Sequence, residues 1–479
     1  MIEYVLLPGL LIVALAVKVW LALQYRVSIW DAYVYLSNAR GFLFGRSPFD
    51  PYHFFELLRP PLFPLNISLL WLGAGVNYDV ATIVQPVFTV AAAYVFFLLM
   101  KRMFGVKPAL VGSLFFLAVP VVFLWTNQIL VHGEDLFFLI TAVYLLWRGT
   151  NGEAKYLPLS GGALALATLT RYTILAILPV FVVVLVWLLV SSRRRMVSYP
   201  WREVAAMLLV FALVWAPWLS WNYRYVGDPF ASLFAGFSAG ALVGGQLPWY
   251  FYIVNIPTLL GLVGSVLLLV GLTDKGIFKD KGKLILLLWI VAFFLAHTII
   301  ENKDARFYLE WAPPLVGFAA LGVSRIEARM PSKTKILAWA LIGLWLFATF
   351  YPAVNASLND ARIDESAVGS YNELVAVSTW VNENTAHTDI GATDFAPALS
   401  FQTDRLFYDM SYIQTTATVR GLSIDQFMAQ LGVKVVVLRP IHDPNLIQNL
   451  KKDSSFTLVK EFPTWVIFRF NCSNCTGLP

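Results

Sequence analysis

Apolar runs recur along the chain between short polar loops. The first is Tyr4 to Leu23, and further runs fall at about 80–100, 108–125, 134–147, 158–170, 173–190, 203–220, 251–272, 284–300, 306–324 and 336–352. A helix of roughly 20 apolar residues crosses a bilayer, so this pattern predicts about eleven spans in a polytopic α-helical membrane protein. The run 61–73 reads differently. Pro60, Pro61 and Pro64 open it and Gly73 to Gly75 close it, as expected of an interfacial or re-entrant helix rather than a span. The first run lacks a small-residue cleavage site and reads as a retained helix. After about residue 353 the period changes. Helix-like stretches at Tyr371–Glu383, Ile424–Leu431 and Asn445–Lys451 alternate with strand-like runs at Asp389–Thr393, Val433–Leu438, Phe456–Lys460 and Trp465–Phe470. That alternation predicts a C-terminal α/β domain. The expected organisation is a transmembrane domain over 1–352, including a first polar loop at 24–79, and a second domain over 353–479.

Loop charges orient the spans. With 61–73 left uncrossed, every second loop falls on one side. Those loops carry Lys101, Arg102 and Lys107; Arg148 and Lys155; Arg193, Arg194, Arg195 and Arg202; Lys275, Lys279, Lys281 and Lys283; and Arg325, Arg329, Lys333 and Lys335. Basic loops mark the cytoplasmic side. The 28–65 loop, the 126–133 loop and the tail are then expected outside, at the plasma membrane. Sequons at Asn355, Asn471 and Asn474 fall on that outer side.

Composition agrees with the pattern. Of 479 residues, 58% are hydrophobic and only 13% charged, with a mean hydropathy of +0.68. A soluble protein of this length needs far more charge at its surface. The net charge of +6 is dispersed in short loops and does not predict a nucleic-acid partner.

Membrane-depth charge is costly and concentrates where there is function. The 28–65 loop holds Asp31, Arg40, Arg46, Asp50, Glu56 and Arg59, and one of five histidines, His53. Glu134 and Asp135 open one span, Arg171 ends another in TLTRYT, and His297, Glu301, Lys303, Asp304 and Arg306 crowd the end of a third. Each also has a structural reading. Ser28-x-x-Asp31 forms a capping box, Glu134 and Asp135 complement a helix dipole, Arg171 fits an ion pair, and Lys303 and Arg306 fit snorkelling cations. Cys472-x-x-Cys475 fits a local disulfide or an unpaired terminus, and lacks the further ligands of a zinc site.

The stretches WDAYVYLSNARGFLFG and RPPLFPL, with HGEDLFFLITAVYLLWRG, GGALALATLTRYTILAILPVFVVVL and DARFYLEWAPPL, resemble the polyprenyl-phosphate-sugar-dependent glycosyltransferases of the GT-C fold. Within that fold they resemble dolichyl-phosphate-mannose–protein mannosyltransferases and lipid A aminoarabinose transferases. The resemblance covers most of residues 1–350. It implies inverting transfer of a sugar, mannose or another hexose or pentose, from a polyprenyl phosphate to an acceptor protein, glycan or lipid at the outer face. It also implies Asp31 as the catalytic acid of the first loop, and Asp135 or Glu134 as the acid of the next. Arg59 matches a cation on the carrier phosphate and Arg306 a late basic position. Arg171, Lys303, Glu56 and Tyr33 complete the expected substrate-binding set. No cofactor is required by the resemblance; Asp31, Glu56 and His53 are the candidate ligands should a divalent metal take part. The chain has Asp31-Ala32 where the mannosyltransferases usually have Asp-Glu, and it lacks the Trp-Trp-Asp signature of oligosaccharyltransferases. A lipid-linked sugar flippase is the rival reading, since transporters also hold polar groups within an apolar bundle.

Overall fold

The structure, a computed structural model, describes residues 2–24, 30–45, 59–195, 199–242, 247–300, 303–331, 334–335, 339, 342–343 and 371–471. Most of the expected span 336–352, with Asn355, Asn474, Cys472 and Cys475, lies outside the described residues. The chain divides into two compact units. One comprises Met1–Leu23, Leu58–Phe63 and Thr82–Ser357; the other comprises Gln24–Leu57, Pro64–Ala81 and Leu358–Pro479.

The first unit is built from α1 (Ile2–Gln24), most of α4 (Tyr78–Phe104), α5 (Val106–Ala118), α6 (Pro120–Trp125), α7 (His132–Thr150), α8 (Leu157–Thr170), α9 (Leu178–Arg195), α10 (Trp201–Val226), α11 (Ala231–Leu242), α12 (Phe251–Val254), α13 (Ile256–Leu272), α14 (Lys281–Ile299) and α15 (Ala312–Arg329). Among the described residues five stretches are long and apolar enough to cross a membrane: Leu6–Gln24, Tyr78–Phe104, Tyr172–Ser191, Trp201–Val226 and Lys281–Ile299. The protein is a multi-pass membrane protein. Several expected spans are interrupted. The run 108–125 breaks at Val119, which is extended ahead of Pro120 because the residue before proline is pushed out of the α region. The run 251–272 breaks at Asn255 and again at Gly261, whose φ is 70°. The run 306–324 does not start as an α-helix. A tight 3₁₀ segment, Ala305–Trp311, precedes α15.

Large rings and thioethers fill the bundle, with Phe96, Met100, Phe116, Trp289 and Phe318 fully buried. At the seam of α13 and α15 a Cβ on Gly271 would meet the Phe318 carbonyl, and one on Gly322 would meet that of Leu267. Small residues there let two backbones touch, the packing that membranes reward.

Several of the basic loops meet at one end of this bundle. Lys107 pairs with Glu327 at 2.9 Å, Arg102 with Glu153 at 3.6 Å, and Lys281 reaches the Thr150 hydroxyl at 2.9 Å. Arg325 donates to the Val270 carbonyl at 2.8 Å, and Arg148 also binds Glu153. These contacts tie loops whose basic residues the sequence reading assigned to one side.

The second unit contains a five-stranded sheet of β1 (Ile390–Thr393), β2 (Phe407–Asp409), β3 (Val433–Leu438), β4 (Phe456–Glu461) and β5 (Val466–Phe470) in the order β2-β1-β3-β5-β4. β1 runs parallel to β2 and β3, and β5 is antiparallel to β3 and β4. Its helices are α16 (Tyr371–Asn384), α17 (Ala396–Thr403), α18 (Met410–Arg420), α19 (Ile424–Gln430) and α20 (Pro444–Lys452). Ala392, Ile413, Met428, Val436 and Phe468 form its core. The capping box of Ser423 and Gln426 starts α19.

The same unit holds α2 (Trp30–Phe44) and, from Pro64 on, α3 (Leu62–Ala74). α3 has 13 residues, about 20 Å of helix, too short to cross a bilayer. The sequence reading grouped the 24–79 loop with the transmembrane domain. In the structure Gln24–Leu57 and Pro64–Ala81 cluster with the tail instead, because aromatic side chains of α2 and α3 pack on α17.

Candidate active site

Asp31 lies in the first turn of α2. That placement agrees with a carboxylate favouring a helix N-terminus, and Ser28, the other half of the expected capping box, is outside the described residues. Nine of the fifteen residues of α2 are buried, while Asp31 itself is half-buried. Tyr33, expected to bind substrate, is fully buried. Its ring lies 5.7 Å from Phe395 and 6.0 Å from Phe401, so it anchors α2 by packing.

In the first unit a polar cluster forms at the end of the bundle opposite the basic loops. α7 brings His132, Glu134 and Asp135 in its first turn. Arg171 is the C-cap of α8, in extended conformation, and the 3₁₀ segment Tyr172–Ile177 after it brings Thr173. His297 comes from the last turn of α14, and Glu310 from the 3₁₀ segment before α15. Antiparallel helices contribute alternating ends, so residues far apart in sequence meet. Arg171 Nε lies 3.1 Å from Glu310 Oε1, and its Nη1 lies 2.9 Å from His132 Nδ1 and 3.8 Å from Asp135 Oδ2. Thr173 donates to Glu310 Oε1 at 3.0 Å, and His297 Nε2 stands 3.8 Å from Glu310 Oε2. Glu134, Asp135, His297 and Glu310 are fully buried. The Phe307 ring lies 5.0 Å from the Arg171 guanidinium.

The backbone at Gly133 sets the acids of α7. The Gln85 side-chain oxygen accepts from the N–H of both Gly133 and Glu134. A Cβ at Gly133 would meet the Gln85 carbonyl at 2.5 Å and the Thr89 hydroxyl at 2.6 Å. Only glycine permits that approach.

The structure thus brings Asp135 and Arg171 together and places Glu134 beside them in sequence. It engages Arg171, expected in the substrate-binding set, with Glu310, His132 and Asp135. Arg306 forms a two-point pair with Asp304, at 2.8 Å through Nε and 2.7 Å through Nη2, and stacks over Trp125. Lys303 donates to the Ile300 carbonyl at 3.1 Å. Arg59 is half-buried at the exit of its loop. Glu56 and His53 lie outside the described residues, as does Glu301. Among the described residues, no group of three or more His, Cys, Asp or Glu is arranged to hold a metal ion.

Glu310, His132 and the pairing of His297 were not read from the sequence. Glu310 stands in DARFYLEW, inside a run taken as a span, and a lone carboxylate there is itself a signal. His132 precedes the glycine of HGED and, as a single imidazole beside two acids, gives no separate signal in the sequence.

No curated protein sequence matches the chain. Residues 58–221 match the family described as dolichyl-phosphate-mannose-protein mannosyltransferase. The structure of ArnT from Cupriavidus metallidurans bound to undecaprenyl phosphate superposes over 99% of both chains with a TM-score of 0.73, at 14% identity. The chain has the GT-C fold. Other GT-C structures agree. The oligosaccharyltransferase AglB from Archaeoglobus fulgidus, in complex with an inhibitory peptide and a dolichol-phosphate, gives a TM-score of 0.60 at 14% identity, over 97% of this chain and 74% of that one. Arabinofuranosyltransferase AftD from Mycobacteria gives 0.57 at 12% identity, over 97% of this chain and 41% of that one. The GT-C resemblance carried by the first loop, HGEDL, TLTRYT and DARFYLEW is borne out.

Proposed function

We propose that the protein is a membrane glycosyltransferase that moves a hexose or pentose from a polyprenyl phosphate to an acceptor hydroxyl at the outer face, with inversion. The observation that carries this reading is the full-length likeness to a polyprenyl-phosphate-bound GT-C structure, with an acid in the first turn of the first helix after span one. A hydroxyl is a weak nucleophile until a base takes its proton, and Asp31 is that base. The leaving group is a lipid phosphate and needs no general acid. Cations stabilise its departing charge, and Arg59, Lys303 and Arg306 are the assigned set. Asp135, or Glu134 beside it, is the second acid of the scheme, with Arg171 held against Asp135 and Glu310. No cofactor is required in this scheme; sustained turnover after chelation is its expected outcome.

The test is incubation of the purified protein in bilayers with polyprenyl-phosphate sugars and candidate acceptors. Release of polyprenyl phosphate with a new glycosidic bond supports the reading. Asp31→Asn is expected to fold normally and to lose transfer. Movement of intact lipid-linked sugar across the bilayer, with no release, refutes the reading in favour of a flippase.

A further inference from the structure

Asp31 sits on a helix that the rest of its own unit grips at both ends. Alongside α2 runs α17, some 360 residues later in the chain. At the start of α17, Phe395 meets Trp30 at 5.9 Å and Tyr33 edge-on at 5.7 Å, so its contacts flank Asp31 on either side in sequence. Midway, the Ser37 hydroxyl donates to the Pro397 carbonyl at 3.3 Å. At the far end, Arg40 Nη1 donates to the Phe401 carbonyl at 2.5 Å and lies 3.2 Å from Asp404 Oδ1. The guanidinium also stacks 4.8 Å over the Phe401 ring.

These contacts have a common physical basis. The last carbonyls of a helix lack intrahelical partners and carry partial negative charge. Arg40 supplies the missing donor from α2. Asp404, just past α17, takes the left-handed conformation (φ 55°), and its carboxylate adds to the charge that Arg40 meets. Phe395 is fixed in turn. Arg439, just past β3, stacks 4.4 Å from its ring and donates through Nε to Asp394 at 3.0 Å. The Arg439 side chain is only 4% exposed. A line of contacts therefore runs from the carboxyl ends of β1 and β3, through Asp394, Arg439 and Phe395, to the turn of α2 that bears Asp31.

We propose that the α/β tail domain positions the catalytic helix, and that Arg40, Asp404 and Phe395 are positioning residues for Asp31. The inference rests on the reading of Asp31 as the base. The tail then contributes to turnover without touching substrate, by fixing the carboxylate against the reacting hydroxyl. A misplacement of about 1 Å costs on the order of a hundredfold in rate.

The experiment compares wild type, Asp31→Asn, Arg40→Ala, Arg40→Lys, Phe395→Leu and the swap Arg40→Asp/Asp404→Arg in full-length protein in bilayers. Donor KM, kcat and the active fraction from single-turnover amplitude are measured for each. Arg40→Ala is expected to lower kcat roughly tenfold to a hundredfold with donor KM and active fraction held. Arg40→Lys, which restores a cation at the end of α17, is expected to recover part of the loss; the swap, which turns an acceptor toward the Phe401 carbonyl, is not. Phe395→Leu should lower kcat in the same way, which keeps the test decisive if Arg40→Ala does not accumulate. Unchanged kcat in Arg40→Ala and Phe395→Leu, with Asp31→Asn inactive, overturns the positioning role and leaves the transferase reading standing. A loss confined to active fraction, with no rescue by lysine, also overturns it. Absence of transfer by wild type refutes the transferase reading itself, and hydrogen exchange on α2, faster in Arg40→Ala if docking is as described, then tests the grip alone.

Discussion

Replacement of Arg171 by methionine offers the sharpest test of the buried cluster. The change removes the contacts to Glu310 at 3.1 Å, His132 at 2.9 Å and Asp135 at 3.8 Å, and leaves two fully buried carboxylates without their cation. Removing one partner of a buried pair costs about 3–5 kcal/mol. Glu310→Met should cost less, on the order of 2 kcal/mol, because Arg171 keeps Asp135 and loses one charge-assisted bond. The double variant removes Arg171 and Glu310 together and strands only Asp135, where Arg171→Met strands two carboxylates. We therefore expect its cost to fall short of the sum of the singles by about 1.5–3 kcal/mol. Arg171→Lys should not rescue, since an ammonium cannot hold Glu310 through one nitrogen and Asp135 and His132 through another. The assay is reversible unfolding in mixed micelles followed by tryptophan fluorescence. Additivity of the two singles to within about 0.5 kcal/mol, or a cost of Arg171→Met below about 1 kcal/mol, would falsify the shared-pair account.

Two further substitutions probe the same unit. Gly133→Ala puts a methyl group against the Gln85 carbonyl and the Thr89 hydroxyl; it should destabilise by about 1–3 kcal/mol and reduce turnover by shifting Glu134 and Asp135. Wild-type unfolding and turnover in that variant would show that the approach to α4 does not set the acids. Lys18 is 2% exposed within α1 and donates to the Phe123 carbonyl at 3.3 Å. Lys18→Met should raise the unfolding midpoint, because a membrane-depth cation costs about 2.5–3.5 kcal/mol on insertion scales; a fall in midpoint would mean that the carbonyl contact outweighs that cost.

Much of the architecture was legible because its signals are local. The alternation of basic loops needs only charge and order, and the ties from Lys107 to Glu327 and from Lys281 to Thr150 answer to it. The tail's longer strands showed through apolar runs such as Val433–Leu438. β2, only three residues long, has no period to display, and α17 holds buried positions on every side, so neither stood out. Helix breaks at Val119 and Gly261 were masked by continuous apolar character. Among the site residues, Asp135 and Arg171 could be found as charges at span ends. Glu310 was hidden within a run read as a span. The grip of α17 on α2 was illegible for a different reason: Arg40 meets Phe401 across a separation of 361 positions, and no window on a single sequence spans that.

That separation has a consequence for how the protein comes to be active. Chains emerge from the ribosome at about 5–20 residues per second. The docking partner of the helix bearing Asp31 must wait for some 360 more residues, roughly 20–70 s at that rate. During this interval the bundle can be inserted while Trp30, Tyr33 and Arg40 have nothing of α17 to hold. A chain truncated before residue 396 should insert yet never set its acid. On the proposed positioning role, completion of α17 is then the event that fixes the helix bearing Asp31.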